Sequence, residues 1–150
     1  MSKGSRLAAV LMLVSVVGCA TRVMVTPTHR ENMTAQAKVL AMAARNLEDS
    51  VHRQRAEPAA ETAARAVAQF HAETENFAGA TARWLSDDNV DTDYEKLIES
   101  WVRVKQTFPN LKADELTNEA YQRVQFEWEK LARTSGYAGR KYERKVEQGK

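Results

Sequence analysis

Residues 33–81 read MTAQAKVLAMAARNLEDSVHRQRAEPAAETAARAVAQFHAETENFAGAT. The first half carries Met33, Ala37, Leu40, Ala44, Leu47 and Val51 at alternating steps of four and three, the repeat that lines one face of an α-helix with apolar side chains. Ala63, Val67, Phe70, Thr74, Phe77 and Thr81 resume the alternation after a break at Ala56-Glu57-Pro58, and Trp84 extends it. Proline suits the first turn of a new helix, where no backbone donor is needed. The spacing therefore predicts helices over 29–55 and 58–85. If the chain reverses at Glu57, facing positions have numbers that sum to 114, which pairs Val51 with Ala63, Leu47 with Val67 and Ala44 with Phe70. Large side chains then meet small ones in most layers, as a close antiparallel helical hairpin requires. A single helix kinked at Pro58 is the alternative.

On the N-terminal side, Thr28-His29-Arg30-Glu31 has capping-box spacing, with Thr28 as the cap and Glu31 reaching back. On the C-terminal side, Ser86-Asp87-Asp88-Asn89 is a turn cluster. Thr92-Asp93-Tyr94-Glu95 repeats the capping spacing, so a third helix is expected over 93–107, burying Tyr94, Leu97, Trp101 and Val104. Phe108-Pro109-Asn110 ends it, and Asn110 is positioned to cap a fourth helix over 111–134. That helix carries Leu116, Ala120, Tyr121, Val124, Trp128 and Leu131 on one stripe, and Gly136 is a helix stop. No alternating Val/Ile-rich segment bounded by turns occurs, so no sheet is expected. The expected fold is all-α, an antiparallel up-down four-helix bundle over 29–136, with a tether over 19–28 and a basic tail over 137–150.

The helices are unequal, roughly 40, 42, 22 and 36 Å long at 1.5 Å per residue. With the third helix so short, the tip of the first hairpin would project beyond the bundle. Leu47, Val51 and Val67, among Arg53 and Arg55, then become the candidate partner-binding element. Mutual cover by the two helices, or a fourth helix leaning across them, would remove that surface.

The chain begins with a short basic segment holding Lys3 and Arg6. An apolar run of 11 residues follows over 7–17 and closes on Val16-Val17-Gly18-Cys19. Spanning a bilayer as a helix takes about 20 residues, whereas a secretory signal fits this length and flanking charge. The ending resembles the lipobox of bacterial lipoprotein precursors. The resemblance covers only the first 20 residues and implies cleavage after residue 18 and acylation of Cys19. An ordinary secretory signal with a chance cysteine is the rival. Cys19 is the single cysteine, so lipidation would leave no thiol for a disulfide, redox work or a metal. Ala20 follows it where an aspartate would, in Gram-negative lipoproteins, imply inner-membrane retention. The resemblance therefore implies an outer-membrane lipoprotein facing the periplasm.

Processing would leave 132 of the 150 residues, the size of one domain, with 20 basic side chains against 20 acidic ones. That balance gives no nucleic-acid footprint. The tail, residues 137–150, is locally basic and could rest on anionic headgroups or other envelope polymers. Its last residue, Lys150, is similar to the C-terminal lysine through which murein lipoproteins are joined to peptidoglycan, though the rest of the chain lacks their uninterrupted coiled coil.

Catalytic and cofactor patterns are sparse. His29 lies in a first turn. His52 has Glu48 one turn before it and His71 has Glu75 one turn after it, pairs that can seed a metal site. In the hairpin register His52 faces Thr62 and His71 faces Ala43, about 13 Å apart along the axis and too far to share an ion. Di-iron bundles need paired Glu-x-x-His segments, and covalent haem needs Cys-x-x-Cys-His; neither set is present. For a Met/His haem, Met42 falls on the outer face and Met33 lies far from His71. No nucleophile elbow, Ser/His/acid set or Gly-rich phosphate loop is visible. Phe126 sits off the fourth helical stripe and marks a candidate second contact surface. The expectation is a non-catalytic scaffold or protein-binding module of the cell envelope without a cofactor, with an envelope protein as partner. A bundle carrying a small ligand, haem or metal is the alternative.

Overall fold

In the computed structural model, residues 26–54, 58–83 and 90–135 are described. The expected leader 1–18, Cys19, Arg55, Trp84, the expected turn at 86–89, Gly136 and the expected tail 137–150 lie outside these residues. Four helices order the rest: α1, Pro27–Arg53; α2, Pro58–Ala82; α3, Asp91–Thr107; and α4, Glu115–Ser135. A single 3₁₀ turn, Phe108–Asn110, follows α3. Among the described residues there is no strand, and the protein is an all-helical bundle.

Helix α1 starts two residues before the expected point. The Thr26 side chain accepts from the His29 amide at 3.2 Å and Pro27 occupies the first turn, so Thr26 is the cap in place of Thr28. The missing donor of Pro27 costs nothing there, because the first amides of a helix have no intrahelical acceptor. The helix therefore takes in residues 27 and 28, which the expected bounds leave ahead of it. At the other end, the Gln54 amide donates back to the Val51 carbonyl at 3.0 Å. Helices α1 and α2 pack along each other, which excludes the single kinked helix.

Helix α3 begins at Asp91, ahead of the Thr92 capping box, with no side-chain cap. Its start is held by burial of Val90, whose carbonyl accepts from the Tyr94 amide at 2.8 Å. The entry to α4 differs most from expectation. Asn110 turns back and donates to the Gln106 carbonyl, so it does not cap the next helix. Leu111 goes into the core, and the Asp114 carboxylate caps α4 by accepting from the Thr117 amide at 2.8 Å. Starting at Glu115, the helix presents Thr117 inward. Leu116, expected in the core, is 64% exposed.

Within the described residues the expected apolar faces of α1, α2 and α3 are otherwise buried, and side chains from all four helices join one core. Helix α1 packs closely against α2 and α4, and α2 against α3. Helices α3 and α4 form no such close seam and meet through rings instead. Trp101 of α3 lies with its ring centroid 5.8 Å from both Trp128 and Tyr121 of α4. Phe70 reaches Trp101 at 5.1 Å from α2. Phe108 stacks on Tyr121 at 3.9 Å, and Tyr94 shares a 2.8 Å hydrogen bond with Ser135.

Candidate functional site

The hairpin tip does not project as an open apolar surface. Leu47, Val51 and Val67 each have 0% exposure, so a partner cannot reach them without unfolding the bundle. The cover comes from α4, which packs along α1. The Gln54 amide group, at the end of α1, donates to the Thr117 hydroxyl at 2.8 Å. Arg53 is exposed, but its guanidinium donates to Ser50 on its own helix at 2.8 Å.

Around the same joint Asp114 accepts from the Thr117 hydroxyl and amide, and these bonds favour its ionised form. They hold the carboxyl below its ordinary pKa; desolvation opposes them, and Gln54 and the charge of Arg53 add weaker pulls in the same direction as Thr117. On the aromatic side, burial raises the Tyr121 phenol above its ordinary value, opposed by the charge of Lys105 and a hydrogen bond from Gln125.

The two histidines lie closer than the expected register allows. Glu48, not Ala43, reaches His71: its Oε2 lies 2.7 Å from His71 Nδ1, while its Oε1 lies 3.5 Å from His52 Nε2. Glu75 approaches the other side of His71, 3.4 Å from Nε2. One carboxylate thus serves both imidazoles, because Glu48 sits one turn before His52 on the edge of α1 that faces α2. The cluster is a polar clasp across the hairpin. Among the described residues no group of three His, Cys, Asp or Glu side chains is placed to hold a metal ion. Met33 is in the core and Met42 is 60% exposed on the outside.

A second cluster was not foreseen from sequence. Glu127 on α4 is only 3% exposed, with Arg123 Nη2 2.7 Å from Oε1 and Lys130 Nζ 3.4 Å from Oε2. The Arg123 contact lies outside hydrogen-bond geometry, which leaves the attraction between charges as its main content. Both cations also flank Phe126: Lys130 Nζ is 4.3 Å and Arg123 Cζ 5.7 Å from the ring centroid. Phe126 itself is half exposed. Arg123, Glu127 and Lys130 line a groove of about 410 Å³ with Ala35, Gln36 and Val39 of α1. Spacing alone could have flagged this cluster, since Arg123, Glu127 and Lys130 recur at steps of four and three on the side of α4 next to its core stripe.

A third feature lies between α3 and α4. Trp101, Lys105, Gln125, Trp128, Glu129, Ala132 and Arg133 line an open groove of about 350 Å³. Two of its lining side chains, Trp101 and Trp128, are nearly buried indoles.

No family model, curated protein or solved structure matches the chain. Among the described residues no helix is long and apolar enough to cross a membrane.

Proposed function

We propose that the protein is a lipid-anchored bundle of the bacterial cell envelope, held by acylated Cys19 on the periplasmic side of the outer membrane. In this reading it works as a non-catalytic scaffold or protein-binding module. The observation that carries the proposal is the opening sequence: a basic start, a short apolar run and Val16-Val17-Gly18 before the only cysteine. The helices would run alternately up and down in an antiparallel bundle. Supporting that order, the end of α1 bonds the first turn of α4 through Gln54 and Thr117, and the first turn of α3 bonds the end of α4 through Tyr94 and Ser135. Phe70 meets Trp101 and Phe77 meets Tyr94, so α2 and α3 count in opposite directions.

Fractionation of cells carrying wild-type and Cys19→Ser protein tests the anchor. The wild type should enter the outer-membrane fraction and the variant should not. A soluble wild type, or two proteins that fractionate alike, would contradict the proposal. The α3/α4 groove favours a second reading, a bundle that carries a small ligand against Trp101 and Trp128. Native mass spectrometry, a visible spectrum and metal analysis of the purified protein distinguish it: a retained ligand, haem or metal supports carriage, and a bare chain supports the scaffold.

A further inference from the structure

Three large apolar side chains are exposed among the described residues, and all three lie on α1 or α4: Met42, Leu116 and Phe126. On α1, Ala35, Val39 and Met42 follow one another at steps of four and three, so they share one side of the helix. On α4, Leu116, Arg123 and Lys130 recur every seven residues, with Phe126 beside them. Ala35 and Val39 line the same groove as Arg123 and Lys130, so the two stripes border one shared face. The outer surface of α2 and α3 is of another kind. Its exposed groups include the Arg103 guanidinium, which donates to Gln69 at 2.8 Å, and among the described residues no large apolar side chain.

We propose that the α1/α4 face rests on a lipid surface carrying anionic headgroups, with Phe126 in the interface and Arg123 and Lys130 at the level of the phosphates. The inference rests on the reading of Cys19 as the anchor and adds the orientation of the bundle on the membrane.

Chain length supplies one argument. The seven steps from Cys19 to Thr26 span at most about 25 Å, so the start of α1 stays close to the lipid. Ala35, at the near end of the face, lies about 12 Å further along the helix axis. The bundle can therefore lie on its side without straining the tether.

Chemistry supplies the other. An aromatic ring flanked by basic side chains suits the boundary between acyl chains and headgroups, where the ring leaves water and the cations meet phosphate. Each basic group near such a surface strengthens binding about fivefold. Glu127 neutralises one of the two cations and holds both long side chains beside Phe126. Within the cluster two cations meet one buried carboxylate, the exposed Glu119 lies one turn before Arg123 on the same side of the helix, and Arg123 and Lys130 remain 61% and 45% exposed. A protein groove of opposite charge would need acids to meet these cations and apolar groups to cover Met42 and Leu116. The tether brings the lipid here without a further partner.

The test uses the full chain, processed and acylated in cells and then reconstituted into vesicles of phosphatidylcholine and phosphatidylglycerol. A single thiol is introduced by Phe126→Cys on the proposed face or by Gln69→Cys on the opposite one. Each is labelled with a fluorophore that shifts to the blue on leaving water. Both proteins should float with the vesicles. Only the label at position 126 should shift and be quenched several-fold more by lipids with spin-labelled chains, and the shift should shrink in pure phosphatidylcholine. Flotation with a label at 126 as aqueous as that at 69 overturns the proposed face and leaves the anchor standing. A failure to float overturns both. A shift at 126 that follows protein concentration in detergent, without vesicles, assigns the face to a second copy and overturns the lipid as its occupant.

Discussion

Where α1 meets α2, the buried positions are rich in alanine: Ala37 and Ala44 on one helix and Ala60, Ala63 and Ala64 on the other. Where α3 meets α4, the space is taken by Tyr94, Trp101, Phe108, Tyr121 and Trp128. Small side chains let two backbones approach and leave little tolerance for added volume. Rings hold two backbones apart and leave a large void when one is removed. The two seams should therefore fail in opposite ways, the first by overfilling and the second by emptying.

The largest expected effect is on the aromatic side. Trp101→Ala should cost about 3–5 kcal/mol in urea unfolding, because Trp101 touches Phe70, Tyr121 and Trp128 and its neighbours cannot all close the gap. Trp101→Phe should cost clearly less. A loss near 1 kcal/mol for the alanine variant would mean that α3 and α4 can close on each other, and the contrast between the seams would disappear.

The alanine side is tested by addition. Ala63→Leu, at a position with 0% exposure, should cost about 1–3 kcal/mol by overpacking. A neutral or stabilising result in the same assay would show that the seam has room. The polar edge of that seam should contribute less. A double-mutant cycle on Glu48→Ala and His71→Ala should give a coupling of about 0.5–1 kcal/mol, since both groups are partly exposed and solvent screens the pair. Zero coupling would remove the clasp from the description of the hairpin.

The smallest effect belongs to the α4 cap. Hydrogen bonds from Thr117 favour ionised Asp114 in the folded state, so its folded pKa lies below its unfolded one. The stabilisation is present above the ordinary carboxylate range, about pH 4, and is lost as pH falls through the lowered folded value. The stability gap between wild type and Asp114→Asn should narrow across that acid window. A gap that stays constant with pH would remove the carboxylate charge from the cap.

Much of this contrast was legible in the residues. The four-and-three repeat from Met33 to Val51 placed the buried face of α1 correctly, because a helix in a bundle must bury its apolar stripe. The aromatic residues at Tyr94, Trp101 and Trp128 were also legible as core. The start of α4 was not, since Asn110 and Asp114 are both good caps and the choice depends on where Leu111 is buried. Leu116 was misplaced for the same reason. Leu47, Val51 and Val67 were correct as apolar face positions, but their candidacy as a contact surface failed once α4 covered α1. Glu127 was missed because burial of a charge depends on neighbours from another helix, and Glu48 was missed as a partner of His71 because hairpin register carries no local signal.

The central claim is that this bundle works at a membrane to which Cys19 fixes it. Intact mass measurement on the protein extracted from cell membranes tests that claim most directly. The account predicts a chain that begins at Cys19 and carries the added mass of acyl groups on that residue. An uncut chain beginning at Met1 in the soluble fraction, with a free Cys19 thiol, would contradict it.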